Sequence, residues 1–403
     1  MTRITIGPFN RVEGDLEVRL DVESGRVAPS LALLSVMAAR LGTSIERLAP
    51  EIETGNRPED VTRLWDAAER LDRHGEHASA IELLEQATRL AAVLDDPRLR
   101  GQSLLRHADA LRQAGRTSEA LETTTRAFEI YGSTGPLHQL GQCYHVMALA
   151  HGDRGDLERA RSCFEKALRH IPRREVGHSR VLFGLSRVML RAGMAEEAAH
   201  RARQAIAVSH HHGDGHEEAR ARLLLAEIMR EAGKPQEALA QLDAARAIVT
   251  GFEDQRLRLW LEALDALVRA VEPCGDEELE RCLGAAQAAG ADEICVTLCS
   301  ALVEQRLARG SGDEAARIAG VGIEHAARDR DLPRVALLRA RQALALALSG
   351  KPEEAASALV RSREACIALR RPDALREALQ EIRTRLTAAA PVLLPLLETP
   401  PTL

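Results

Sequence analysis

The sequence predicts an all-α protein, a solenoid of about eight stacked helix hairpins. Three observations predict it. One small pattern recurs, Gly followed by Ala five residues on and by Ala seven further: Gly75–Ala80–Ala87, Gly115–Ala120–Ala127, Gly155–Ala160–Ala167, Gly193–Ala198–Ala205 and Gly233–Ala238–Ala245. Weaker copies follow at Gly275, Gly310 and Gly350, and the glycines stand 40, 40, 38, 40, 42, 35 and 40 residues apart. A fixed period in this range marks a repeat array in which each unit buries its apolar face against the next. Finally, the chain is 45% hydrophobic but only 2% aromatic, its apolar mass being Leu, Ala and Val. Small and unbranched side chains suit closely packed helices better than strands.

Taken in order, residues 1–50 stand apart from the array. Ile4 and Ile6, then Leu16, Val18, Leu20 and Val22, alternate with polar residues in a strand period, and Ser24-Gly25 suits a turn. From Ser30 the period becomes helical, with Leu31, Leu34, Met37, Ala38 and Leu41 on one face and a short helix carrying Ile45 and Leu48 after Gly42. Residues 51–57, which include Gly55 and lie between Pro50 and Pro58, read as a polar linker. The repeats occupy 58–388. Helix pairs are expected at 58–74/76–94, 98–114/116–131, 137–154/156–170, 177–192/194–211, 216–232/234–250, 256–272/276–289, 292–309/312–329 and 333–349/351–370. A capping helix is expected at 373–388, where a polar outer face would close the stack. Residues 389–403 form a proline-punctuated, irregular tail.

Numbering each repeat so that the turn glycine is position 15 aligns the small residues. Position 8 holds Ala68, Ala108, Ala148, Ser186, Ala226, Val268, Val303 and Ala343. Position 20 holds Ala80, Ala120, Ala160, Ala198, Ala238, Glu280, Ala315 and Ala355, and position 27 runs from Ala87 to Ala245 before drifting to Gln287, Gly322 and Ser362. Helix axes that approach within about 8–10 Å need small side chains where backbones cross. In this register the chain resembles tetratricopeptide repeat proteins over roughly four fifths of its length, most closely in the first five units. The resemblance implies a right-handed superhelix whose concave groove, lined by the first helix of each pair, holds a peptide or protein. Positions 2, 5, 9 and 12 would face that groove. They nominate Trp65, Gln102, Gln142, His145, Arg180, Phe183, Arg187, Arg220 and Arg230. Repeats 4 and 5 set Arg180, Arg187, Arg220 and Arg230 against one acid, Glu227, and arginine grips carboxylates bidentately.

The first segment carries two further resemblances. Residues 3–27, through Arg11-Val12-Glu13-Gly14-Asp15 and Gly25-Arg26-Val27, are similar to the start of nickel–iron hydrogenase large subunits. That family holds its metals on paired CxxC thiolates, and the chain has no CxxC. Residues 23–50, through Glu23, Gly25, Pro29 and Ser30, resemble the back half of an Xre-type helix-turn-helix domain. With the repeats, this implies a regulator-type sensor. The 22 residues before Glu23 hold too few helical positions for the family's first helices, and residues 1–50 balance six Arg against six acids. DNA-binding modules normally carry a basic surplus, so impaired DNA binding is expected, and a protein-interaction scaffold without DNA binding is the alternative reading. A homodimer is left open.

Chemistry is sparse. Net charge is −6, from 54 basic and 60 acidic residues, which makes no global case for nucleic acid. Seven scattered cysteines indicate neither a disulfide framework nor a zinc module. The run Ser209-His210-His211-His212-Gly213-Asp214-Gly215-His216 lacks a ligand spacing and reads as a polar helix end. Cys295 and Cys299, one helical turn apart, read as core. There is no GxxxxGK[ST] and no GxSxG. No catalytic residue, cofactor or metal is expected, and neither a signal peptide nor a membrane span; the expected compartment is the cytoplasm.

Overall fold

The structure is a computed structural model that describes residues 57–73, 76–134, 137–175, 177–269, 275–328, 332–368, 380 and 383–386. The expectations for residues 1–50, for the linker beyond Arg57 and for the tail lie outside these residues. So does most of the expected capping helix, although Leu386 is buried in the core.

Two compact units divide the chain, Met1–Pro136 and Leu137–Leu403. The first contains α1 (Pro58–Arg73), α2 (His77–Val93), α3 (Pro97–Gln113) and α4 (Thr117–Thr134). The second contains α5 (Leu137–Asp153), α6 (Leu157–His170), α7 (Gly177–Arg191), α8 (Ala195–His212), α9 (Gly215–Glu231) and α10 (Pro235–Val249). It continues with α11 (Gln255–Arg269), α12 (Gly275–Ala288), α13 (Asp292–Ala308), α14 (Gly312–Arg328), α15 (Leu332–Leu348) and α16 (Pro352–Ala368). These are the paired helices that the period predicts. No strand occurs among the described residues.

Local chemistry fixes the helix ends. Asp96 caps α3 by accepting from the amides of Arg98 and Leu99 at 2.8 and 3.2 Å, and Pro97 pre-sets the first turn. Asp214 and Asp254 do the same for α9 and α11, accepting from Glu217 N at 3.1 Å and Leu257 N at 3.0 Å. Hairpin turns close on glycine. At Gly233 φ is +70°, and the amides of Gly233 and Lys234 return to the carbonyls of Arg230 and Met229 at 3.0 and 2.9 Å. A side chain would strain that left-handed turn, so Gly is retained.

The packing follows the alanine register. Ala80, Ala120, Ala160, Ala198, Ala238, Ala315 and Ala355 are wholly buried. Where a large side chain enters a helix–helix seam, the facing helix supplies glycine: a Cβ on Gly184 would lie 2.5 Å from the Phe164 ring, and one on Gly101 would lie 2.3 Å from that of Tyr131. Ser186, in a small-residue position, donates to Ala198 O at 2.8 Å and so leaves no buried hydroxyl unpaired.

Hairpin 6 departs from the expected register. Glu280 and Gln287 are exposed, and Leu279 and Ala286 take the buried positions instead. Gly275 is the first residue of α12, so a frame anchored on it as the turn glycine runs one residue too far. The physical reason is charge. Glu280 remains at the surface, where it pairs with Arg306 at 2.7 Å, because burying an unpaired carboxylate is far costlier than shifting a helix by one residue.

Within the second unit each first helix packs against its hairpin partner and against the first helix of the next hairpin: α5 on α7, α7 on α9, α9 on α11, α11 on α13 and α13 on α15. Successive second helices approach one another less closely among the described residues. Closer spacing on one side curves a stack toward that side, so the first helices line the inner face of this unit.

Candidate functional site: the inner face of the second unit

The inner face is built around Phe183 on α7. Its ring is buried and meets Trp260 of α11 edge-on, with ring centroids 6.4 Å apart. Arg220 of α9 lies over the Phe183 ring at 4.4 Å, and Arg187 approaches it at 6.0 Å. A guanidinium over an aromatic face is attracted by the ring quadrupole. The helical spacing of Phe183 and Arg187 and the packing of α7 on α9 produce this arrangement.

The arginines are held by carboxylates. Glu217, buried at the start of α9, accepts from Arg180 at 3.2 Å and from Arg220 at 3.0 Å. One carboxylate between two guanidiniums leaves a surplus positive charge, and Arg180 is more than half exposed. Arg187 pairs with Glu293 at the start of α13 at 2.7 Å. Glu227 of α9 accepts from Arg334 at the start of α15 at 3.4 Å, and Arg334 also donates to Thr297 Oγ1 at 3.0 Å. A cavity of about 20 Å³ lies among Arg187, Leu224, Glu227, Trp260, Glu293 and Arg334, enough for one water. Burial pushes the Glu227 carboxyl up to about 7 against the opposing pull of Arg334.

The residues nominated from sequence separate into three groups. Arg180, Phe183, Arg187 and Arg220 come together in this cluster. Trp65 and Gln102 belong to the first unit; Trp65 is buried there, donating to Ser103 Oγ at 3.1 Å beneath Arg106, while Gln102 is exposed. Gln142 is exposed, His145 packs on the Phe164 ring at 5.8 Å, and Arg230 pairs with its neighbour Glu231 at 3.5 Å. The expectation of a single opposing acid is corrected, because Glu217 and Glu293 join Glu227. Glu293 and Arg334 escape positions 2, 5, 9 and 12 because they project from the first turns of α13 and α15. Extending the register one turn upstream would have found them.

Elsewhere the reactive side chains are engaged separately. His210 pairs with Glu218 and His216 with Asp254, each at 2.9 Å, while His212 meets Arg173 O at 3.1 Å. No group of three metal-ligating side chains occurs among the described residues. Burial pushes the Cys143, Cys295 and Cys299 thiols up to about 12, 11 and 12, away from the thiolate form needed for nucleophilic chemistry. A second cleft, of about 640 Å³ between α14, α15 and α16, has mixed charge and includes the Lys351–Asp313 pair at 2.8 Å. No described helix is long and apolar enough to cross a membrane.

Comparison with known proteins agrees with this architecture. No curated protein matches the chain in sequence. Aspartyl phosphate phosphatase F from Bacillus subtilis is 16% identical with a TM-score of 0.58, over 77% of this chain and 88% of that one. A Rap protein complexed with competence and sporulation factor is 15% identical with a TM-score of 0.57, over 83% and 96%. The apo form of RapI is 13% identical with a TM-score of 0.56, over 67% and 98%. Residues 99–173 match the tetratricopeptide repeat family, and the fold is a tetratricopeptide-like stack of helix hairpins.

Proposed function

We propose that the protein binds an extended acidic peptide or protein segment on the inner face of its second unit and acts as a regulator-type sensor. The observation that carries this reading is the cluster around Phe183, where Arg180 and Arg220 share one buried carboxylate beside an aromatic ledge. Arginine supplies planar, bidentate recognition of carboxylates, and Phe183 with Trp260 supplies apolar contact for a side chain. A Rap protein of like fold is complexed with competence and sporulation factor, which supports a ligand-binding role for a helical stack of this kind. The sensor would act by changing the pitch of the stack when the groove fills, and the domain plan of a 1–50 segment, a 51–57 linker and a 58–388 array gives that change a path to the first segment.

A glutamate-rich decapeptide titrated calorimetrically against the full chain tests the reading. Binding should weaken with added salt and fall about tenfold or more in Arg180→Glu and Arg220→Glu, since each reversal removes a charge-assisted contact and adds repulsion, together about 1.4 kcal/mol or more. Equal affinity in wild type and both variants would remove the groove assignment.

A second reading is a scaffold that binds proteins but not DNA. The balance of six Arg and six acids in residues 1–50 favours it, because DNA affinity rests on neutralising phosphates. A mobility shift with random duplex DNA at low salt separates the two, a retarded band excluding the scaffold.

A further inference from the structure

Two inner-face ion pairs differ from the rest in reach. Arg187 and Glu293 are 106 residues apart, and Glu227 and Arg334 are 107 apart. They follow one rule. Each joins position 9 of a first helix to the first turn of the first helix three hairpins later, α7 to α13 and α9 to α15, with the charges reversed between the two cases. Neighbouring helix axes lie about 8–10 Å apart, so a straight stack would separate these residues by roughly three such steps. The pairs therefore record a face curled until its walls touch. Between them stand half-buried Trp260 and a cavity of about 20 Å³, room for one water and not for a peptide backbone.

We propose that the Arg187–Glu293 and Glu227–Arg334 pairs form a latch that holds the inner groove shut, and that an acidic ligand opens it by taking over the two arginines. The ligand half of this proposal rests on the function proposed above; the latch does not. Ligand carboxylates can replace Glu293 on Arg187 and Glu227 on Arg334, so the occupant would be recognised by the same cations that close the groove.

The latch is also sensitive to pH. The charged groups around Glu227 are Arg230 and Glu231 on its own helix, Arg187 and Arg191 on α7, Glu293 on α13 and Arg334 on α15; α11 contributes uncharged Trp260. Burial holds the latched Glu227 carboxyl at about 7, against an ordinary 4.5. Below about 7 the latched Glu227 is thus a neutral acid that still accepts from Arg334, and the closed state keeps a proton that the open, solvated state releases. That contribution to closure is complete below the ordinary value and is lost as pH rises through about 7, so the groove opens more easily on the alkaline side.

Trp260 reports on the latch once Trp65, the other tryptophan, is changed to Phe. In the full-length W65F chain, acrylamide quenching of Trp260 should increase about twofold between roughly pH 6 and pH 8, an excursion that spans the pKa of the buried acid. Adding Glu293→Gln should raise quenching at either pH and tighten the glutamate-rich decapeptide about tenfold, because Arg187 is released; the charge exchange Arg187→Glu with Glu293→Arg should restore low quenching. Glu227→Gln should flatten the pH response. Unchanged quenching in Glu293→Gln, or a pH response that survives Glu227→Gln, overturns the latch. If Trp260 becomes exposed as expected while no variant binds the decapeptide, the latch stands and the acidic-ligand reading fails. Should Glu293→Gln not fold, as judged by circular dichroism, the pH series in W65F with and without Glu227→Gln decides alone.

Discussion

The hairpins of the two units are built on the same pattern, yet their charges are used differently. In the first unit the pairs Arg63–Asp60, Arg89–Glu85, Arg112–Asp109 and Arg116–Glu119 join residues three or four apart on one helix or at its start. Its large aromatic, Trp65, is buried on Ser103. In the second unit Phe183 and Trp260 sit beside Arg187 and Arg334, whose partners Glu293 and Glu227 lie more than a hundred residues away. The repeat pattern accounts for the stack in both units, whereas long-range charge distinguishes the face that can do something besides support it.

If packing is common to both units, truncating either core should cost a similar amount. Leu104 in α3 and Leu223 in α9 are both fully buried. Leu104→Ala and Leu223→Ala are each expected to destabilise their unit by about 2–5 kcal/mol. Urea unfolding followed by circular dichroism would show this as two comparable shifts in midpoint. A loss confined to one variant would mean that the units differ in packing as well as in charge.

The next largest effect belongs to the second unit alone. Glu227 is held at about 7 by burial. Its folded value exceeds its unfolded value, so its contribution to stability is complete below about 4.5 and declines as pH rises through about 7. Glu227→Gln cannot ionise. It should match wild type near pH 4 and exceed it by up to about 3 kcal/mol near pH 8, the equivalent of the shift. Thermal unfolding across that range checks the sign. A wild-type advantage at high pH would show that the Arg334 pairing outweighs desolvation.

Much of this architecture was legible in the sequence, and the limits are physical. Spacing of Gly and Ala placed α7 and α8 at 177–192 and 194–211, against Gly177–Arg191 and Ala195–His212 observed. Such accuracy follows because a close helix crossing admits only small residues and a left-handed turn favours Gly. Hairpin 6 misled because Gly275 imitates a turn glycine, whereas the burial of Leu279 and Ala286 sets the frame. At the site, Arg180, Phe183, Arg187 and Arg220 were legible from helical register. Their partners Glu293 and Arg334 were not, because pairing across three hairpins depends on curvature, which no local pattern encodes. Burial of Trp65 was equally hidden, since its partner Ser103 arrives with the next hairpin.

The smallest expected effect is also the most direct comparison of the two units. Arg89 and Glu85 lie 2.6 Å apart on one turn of α2, and both are largely exposed. Water screens such a pair and both side chains lose rotamer freedom in making it, so a double-mutant cycle to Ala should give a coupling of at most about 0.5 kcal/mol. Arg187 and Glu293, 2.7 Å apart and only partly exposed, must also hold two distant helices together. Breaking either half therefore alters the shape of the groove as well as one contact. Their cycle should give the larger coupling and a shallower decline with salt, because the pair is less open to solvent and is coupled to its neighbours on the inner face. The same coupling and the same salt dependence for both pairs would reduce the long-range pair to another surface contact and remove the distinction between the two faces.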